Sequence, residues 1–225
     1  VTTRETKPPD WDERYSRAGY WAGKEPSAFL VETLPFLPKG RVLDLACGEG
    51  RNAVFLAGRG REVWGVDRSR PGLEKAAALA AEHSVRVRWS QDWPAQPLRP
   101  RQGTAAHRPV GAELVLMFRD LEGCQLPQAT FDVIVNLNYL ERSLFGPIVR
   151  ALRPGGVLVF ETYTREHLNI PTEGLSGAAL GPRNPEHLLR EGELRQAFSG
   201  LEVLFYREYA AGRARASLLA RKPDV

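Results

Sequence analysis

Cysteine is scarce in this 225-residue chain: Cys47 and Cys124 are the only two, and they form no CxxC pair. A disulfide framework is thereby excluded, and two reduced thiols are the expected state. The four histidines, His83, His107, His167 and His187, are scattered and lack HExxH spacing, so no metal site is expected. No apolar run reaches the roughly 18 residues of a membrane helix. Neither charge dominates: 31 Lys+Arg face 27 Asp+Glu, and with 43% hydrophobic residues this balance excludes intrinsic disorder. The first residues, VTTRETKPPDWDER, are polar and do not read as a secretory signal, so the expected location is cytoplasmic. A chain of this length buries roughly 70% of its surface without a covalent staple, and one main domain is expected.

What is present is an alternation of short apolar runs and helical patterns. Residues 41–46 and 62–67 read as buried parallel strands, with an apolar helix over 52–59 between them that ends at Gly60. Ser69 is an N-cap candidate, Pro71 lies in the first turn, and Leu73, Ala76, Ala77 and Ala80 repeat at helical spacing. Residues 85–89 begin a further strand. Strands are also expected at 131–136 and 157–160, with a helix over 140–152 between them. Residues 163–186 form a Gly/Pro/Asn-rich connection long enough to suggest a functional loop. A helix over 188–198 and an antiparallel hairpin over 201–221 close the chain. Such alternation implies an α/β fold with helices on both faces of a mostly parallel sheet.

The informative run is Asp44-Leu45-Ala46-Cys47-Gly48-Glu49-Gly50-Arg51-Asn52, where the first strand turns into a helix. Gly48 and Gly50 let backbone approach a ligand, and Asp67, nineteen residues after Gly48, can accept both hydroxyls of a ribose. Gly48-x-Gly50-x-x-Ala53 loosely satisfies a dinucleotide fingerprint, so NAD is one alternative. Asp44, four residues before Gly48, favours a ligand with a cationic or amino group, and S-adenosylmethionine carries both.

DLACGEGRN (Asp44 to Asn52), Asp67, FDVIVNLNYL (Phe131 to Leu140) and LRPGGVLVFET (Leu152 to Thr162) together resemble the class I S-adenosylmethionine-dependent methyltransferases. CGEGRNAVFLA and the WDERY start are most similar to the tellurite-resistance (TehB-type) and thiopurine-type small-molecule enzymes. The resemblance implies a Rossmann-like, doubly wound, mostly parallel seven-stranded sheet with a C-terminal antiparallel hairpin. It implies a tail and cofactor-covering segment over 1–39 and a single methyltransferase domain over 40–225, with a Pro/Arg-rich insertion near 90–112. The cofactor would be S-adenosyl-L-methionine and its product S-adenosyl-L-homocysteine. Asp44, Ala46, Cys47, Gly48 and Gly50 would line the methionine portion, Asp67 and Arg68 the ribose, and Asp120-Leu121 the adenine. Asn136 would face the sulfonium, and Trp11 and Tyr15 would cover the cofactor. Asp92 competes with Asp120 for the adenine, and Asp120 is preferred.

Methyl transfer is an in-line displacement in which alignment supplies much of the rate. No acid–base dyad stands out, which favours soft or anionic acceptors. Tyr139, Glu161 and Tyr163, after strand ends, are the candidate catalytic residues; Arg142 and Arg165 are candidates for holding an anionic acceptor. Between 85 and 109 lie Arg86, Arg88, Arg99, Arg101 and Arg108 against Asp92, a local excess equal to the +4 of the whole chain. The basic charge thus reports one segment rather than a nucleic-acid-binding face, and a small-molecule acceptor is expected. An RNA or protein methyltransferase and a non-catalytic cofactor-binding module remain the alternatives.

Overall fold

The computed structural model describes residues 10–94, 113–175, 177–209 and 213–224. Two short helices, α1 (Trp11–Ser16) and α2 (Ala28–Thr33), precede the sheet. Then come β1 (Arg41–Leu45), α3 (Arg51–Ala57), β2 (Glu62–Asp67), α4 (Arg70–Glu82) and β3 (Arg86–Trp89). They are followed by β4 (Glu113–Phe118), β5 (Phe131–Leu137), α5 (Phe145–Ala151) and β6 (Leu152–Tyr163). Helix α6 (Glu193–Ala197) and the hairpin β7 (Glu202–Tyr209) and β8 (Arg215–Arg221) complete the chain.

The strands form one sheet in the order β3-β4-β2-β1-β5-β6-β8-β7. Every pair is parallel as far as β6; β8 runs antiparallel to both β6 and β7. The mostly parallel sheet and closing hairpin are as expected, with eight strands instead of seven. Parallel strands joined by crossovers are covered on both faces, and two cores result. Leu43, Leu45, Val66, Ile134, Leu158 and Phe160 point to one side. Val42, Val63, Val133, Val135, Val157 and Val159 point to the other, beneath α3 and α4. Period-two alternation along each strand makes this division.

Four local differences separate the structure from the sequence pattern. The run 113–118 is a fully fledged strand beside β2, whereas 85–89 only adds a short outer strand, β3, with exposed residues on it. Residues 119–130 cross to β5 without a helix, burying Leu121, Cys124 and Leu126 instead. The helix expected over 140–152 is α5, preceded by one tight turn at Arg142–Leu144. Leu188 and Leu189 belong to a buried loop rather than to α6, because Leu189 bridges to Thr164 and exchanges backbone hydrogen bonds there. Most of the insertion expected near 90–112 lies outside the described residues. Arg86 and Arg88, on its leading side, ion-pair with Glu113 across β3 and β4 at 3.3 and 4.0 Å. Among the described residues no helix is long and apolar enough to cross a membrane.

Candidate functional site

The strand order reverses between β2-β1 and β1-β5, so the crevice beyond their carboxyl ends is where a ligand settles in a doubly wound sheet. Three residues that follow β1 have left-handed backbone: Ala46 (φ 52°), Gly48 (φ 54°) and Gly50 (φ 82°). The turn is tight because α4 presses on it. A Cβ on Gly50 would stand 2.5 Å from the Ala76 Cβ.

Asp44 lies on the α3 side of β1 and is 1% exposed. Its Oδ2 has no hydrogen-bond partner among the described residues. Burial pushes its carboxyl up to about 7; nearby Arg51 opposes the shift and Asp67 adds to it. An unpartnered buried carboxylate oxygen costs free energy that a ligand ammonium would recover. Asp67, at the end of β2, accepts the Gly48 N–H on Oδ2 and the Ser69 N–H on Oδ1, both at 2.8 Å. Burial raises its pKa and those two N–H groups counter the rise. Each oxygen keeps a second lone pair for a ribose hydroxyl. The Gly48 amide is therefore spent inside the protein, as is that of Cys47, which donates to the Val66 carbonyl at 3.0 Å. The Cys47 side chain is buried against Gly65. Close approach at this turn comes from the missing side chain at Gly48, not from those two amides.

Helix α1 closes over the turn. A Cβ on Gly48 or on Gly72 would strike Tyr15, at 2.7 Å from its hydroxyl and 2.8 Å from its ring. Ser69 donates its hydroxyl to Asp12 at 2.6 Å, and Trp11 stacks on Tyr15 with centroids 5.3 Å apart. Glu49 fastens the following segment, accepting the Trp21 N–H at 2.6 Å and the Lys75 ammonium at 2.9 Å. Tyr15 thus lies against the glycine turn with Trp11 stacked on it, next to the Asp67 carboxylate that accepts the Gly48 N–H.

On the β2 side, the Arg119 N–H binds the Asp67 carbonyl at 2.9 Å. Asp120 follows directly and pairs loosely with Arg68 at 3.8 Å, both side chains about half exposed. Asp92 follows the outermost strand, one strand farther from Asp67. Leu121 is buried in the core. Asn136 is 1% exposed and donates to the Tyr139 carbonyl at 2.8 Å, which braces the turn after β5. Tyr139 is half-buried among the charges of Glu141, Asp120, Arg68 and Asp67, so it stands at the Asp67 end.

Glu161 and Tyr163 occupy the opposite flank. Both Glu161 oxygens are taken, by Arg215 Nη1 at 2.9 Å and the Ser217 hydroxyl at 2.7 Å. Arg215 Nη2 donates to the Tyr163 hydroxyl, also at 2.9 Å. Arg142 is not available as an anion holder: it clamps Glu193 and the carbonyls of Glu186 and Leu188. Arg165 is exposed and none of these contacts involves its side chain. Sequence reasoning passed over Arg51, Arg215 and Ser217, and it read His167 as a surface histidine of the long loop, whereas the structure buries it at 1% exposure. Arg51 was within sight as the residue after Gly50; the others are revealed by strand register and burial alone.

Comparison with known proteins agrees with this geometry. A family model described as a methyltransferase domain matches residues 18–203. A Bacillus subtilis (strain 168) protein, YqeM, described as a methyltransferase, is 27% identical over 165 residues, covering 68% of this chain and 53% of that protein. The ubiquinone biosynthesis O-methyltransferase of Alkalilimnicola ehrlichii (strain ATCC BAA-1101 / DSM 17681 / MLHE-1) is 28% identical over 142 residues, covering 61% of this chain and 47% of that one. The chain spans about half the length of these curated relatives. TehB of Haemophilus influenzae superposes with a TM-score of 0.59 over 94% of this chain and 65% of its own, at 17% identity. The likeness to the tellurite-resistance type is therefore one of fold. An open buried carboxylate, a glycine turn and a second carboxylate on the neighbouring strand suit S-adenosylmethionine, and the chain belongs to the methyltransferase-domain family.

Proposed function

We propose that this chain binds S-adenosylmethionine and methylates a small-molecule acceptor whose nucleophile is soft or already anionic. The observation that carries the proposal is the Asp44 carboxylate, buried with one oxygen unpartnered beside the glycine turn. When bound, the cofactor supplies a methyl group on a sulfonium, open to in-line attack. Asp44 holds its ammonium, Asp67 its ribose hydroxyls and Asp120 its adenine amino group, while Trp11 and Tyr15 exclude water from above. Residues 40–225 act as one catalytic domain and 1–39 as its cover.

The acceptor preference follows from where the carboxylates are engaged. Glu161 would be the base by position, but an arginine and a serine occupy both of its oxygens. A thiolate, selenide or oxyanion needs no such base. Small acceptors are also consistent with the relative named for ubiquinone biosynthesis. The test is calorimetry with S-adenosylmethionine, S-adenosylhomocysteine and NAD, followed by S-adenosylhomocysteine formation against thiols, selenite, tellurite, halide and short RNAs. Binding of either sulfur ligand and turnover on a small acceptor are expected. Binding of NAD alone, or turnover confined to RNA, refutes the proposal.

A further inference from the structure

The flank opposite the Asp67 end is built around arginine. In the antiparallel register of β6 and β8, Glu161 faces Ser217 and Tyr163 faces Arg215. Alternation puts these four on the α3 side, because Val157 and Val159 of β6 and Leu219 of β8 lie in that core. Asp44 shares the side with them. Glu161, Tyr163, Arg215 and Ser217 are 5%, 4%, 8% and 0% exposed, so this is a built polar cluster rather than a solvated rim.

Tyr163 carries the cluster on to His167, with ring centroids 4.6 Å apart. His167 is 1% exposed. Its Nε2 lies 2.9 Å from the Leu180 carbonyl and so carries the proton, leaving Nδ1 a bare acceptor with no partner among the described residues. Burial and the charges of Arg183, Arg215 and Arg213 all hold this imidazole neutral. Arg51 enters from the other side, where its charge neighbours are Arg215, Asp44, Tyr163 and Tyr15. It gives Nη1 to the carbonyls of Ala22 at 3.0 Å and Glu25 at 3.5 Å, while among the described residues Nε and Nη2 meet no acceptor. Arg51, Arg183, Arg213 and Arg215 are thus gathered around Tyr163 and His167: Arg183 gives its two terminal nitrogens to the carbonyls of His167 and Leu168, both at 3.1 Å, and Glu161 is the carboxylate hydrogen-bonded to Arg215. Arg215 already neutralises Glu161, and Asp44 is engaged once a cofactor ammonium binds. Like charges gathered in a poorly solvated place are unfavourable until an anion joins them.

We infer that the acceptor is a small molecule bearing a carboxylate or phosphate, and that Arg51, beside Tyr163, receives this anionic group with Arg213 and Arg215 adding to the field. The inference rests on the methyltransferase proposal and specifies its acceptor. The planar guanidinium fork suits an oxyanion through paired, charge-assisted hydrogen bonds. A neutral His167 completes the wall without introducing a negative charge.

The experiment is calorimetric titration of the full chain, saturated with S-adenosylhomocysteine, with benzoate, inorganic phosphate and the neutral isostere benzamide. At least one of the two anions should bind, with benzamide weaker by about tenfold or more. At about pH 9, where Asp44 is ionised with or without Arg51, Arg51→Gln should weaken that anion by about 10- to 100-fold and change S-adenosylhomocysteine affinity by less than about threefold, with Arg51→Lys intermediate. Arg213→Gln, at an exposed position before β8, should weaken it by about two- to threefold and flatten its salt dependence. Binding of neither anion, equal binding of benzoate and benzamide, or an anion affinity untouched by both arginine variants overturns the inference. An Arg51→Gln loss shared equally by S-adenosylhomocysteine also overturns it, by assigning Arg51 to the cofactor's own carboxylate. Failure of S-adenosylhomocysteine to bind the unaltered chain is a separate result that defeats the methyltransferase proposal.

Discussion

Replacing Asp44 by Asn tests the site through its stability before any substrate is known. The Asp44 carboxyl is raised from 3.8 to about 7, first by burial. In the unfolded chain it ionises near its ordinary value. From there to about pH 7 the folded chain holds a proton that the unfolded chain has released, so this group makes stability fall as pH rises. The loss is at most about 1.4 kcal/mol per pH unit and about 4 kcal/mol once complete, an upper figure because local relaxation and Arg51 soften it. Above about 7 the contribution is flat. Asp44→Asn removes this slope while preserving shape. The new amide nitrogen has no better partner than Oδ2, so the absolute offset between the proteins decides nothing; its pH dependence does. Urea unfolding of both proteins from about pH 5 to about pH 8 should show the variant gaining about 2–3 kcal/mol relative to the parent. Asp67, also raised, is present in both; because the two carboxylates repel each other, losing the Asp44 charge eases Asp67 too and moves the difference in the same direction. S-adenosylhomocysteine binding should run the other way: its affinity for the parent climbs up to about tenfold per pH unit towards 7 as Asp44 ionises, and the variant loses both the climb and most of the affinity. Parallel stability curves would refute the buried, unpartnered carboxylate, and equal ligand affinities would refute its role.

Gly50→Ala forces a Cβ to within 2.9 Å of the Ala76 backbone at φ 82°, so it should cost about 2–4 kcal/mol in urea unfolding, because backbone cannot yield as a side chain does. Glu161→Gln leaves buried Arg215 without its counter-charge and should lower stability by about 3–5 kcal/mol, while S-adenosylhomocysteine affinity stays within about threefold. Asp120→Ala should weaken S-adenosylhomocysteine by about tenfold and Asp92→Ala not at all, measured by calorimetry; the reverse order would move the adenine to the outer strand.

The methyltransferase character of the chain was legible in contiguous residues. Asp44 through Asn52 encode a strand, a left-handed turn and a helix start, and each depends on neighbours within a few positions. Asp67 was legible because one helix and one strand fix its distance from Gly48. Ser69 as N-cap of α4 was legible for the same reason: its hydroxyl accepts the Gly72 N–H three residues on. The choice between Asp92 and Asp120 was harder. Both end strand-like runs, and only the sheet order, with β4 beside β2 and β3 outside it, places Asp120 next to Arg68. A strand's sequence states that it is buried, not which strand it will lie against.

What surrounds Glu161 and Tyr163, both legible as candidates in the sequence, was decided by the tertiary structure. Arg215 and Ser217 sit in the run Arg213-Ala214-Arg215-Ala216-Ser217, which read by itself is an ordinary alternating strand. Pairing β8 against β6 brings them to Glu161 and Tyr163 from more than fifty residues away, and a slip of one residue would turn all of them to the other face. His167, in a connection poor in apolar periodicity, is buried because its loop folds back over Tyr163 and hands Nε2 the Leu180 carbonyl. Local sequence determined the glycine turn and its two carboxylates, since their geometry is set by backbone preference over short spans. Long-range register and burial decided what surrounds them, since those follow from how the whole sheet closes.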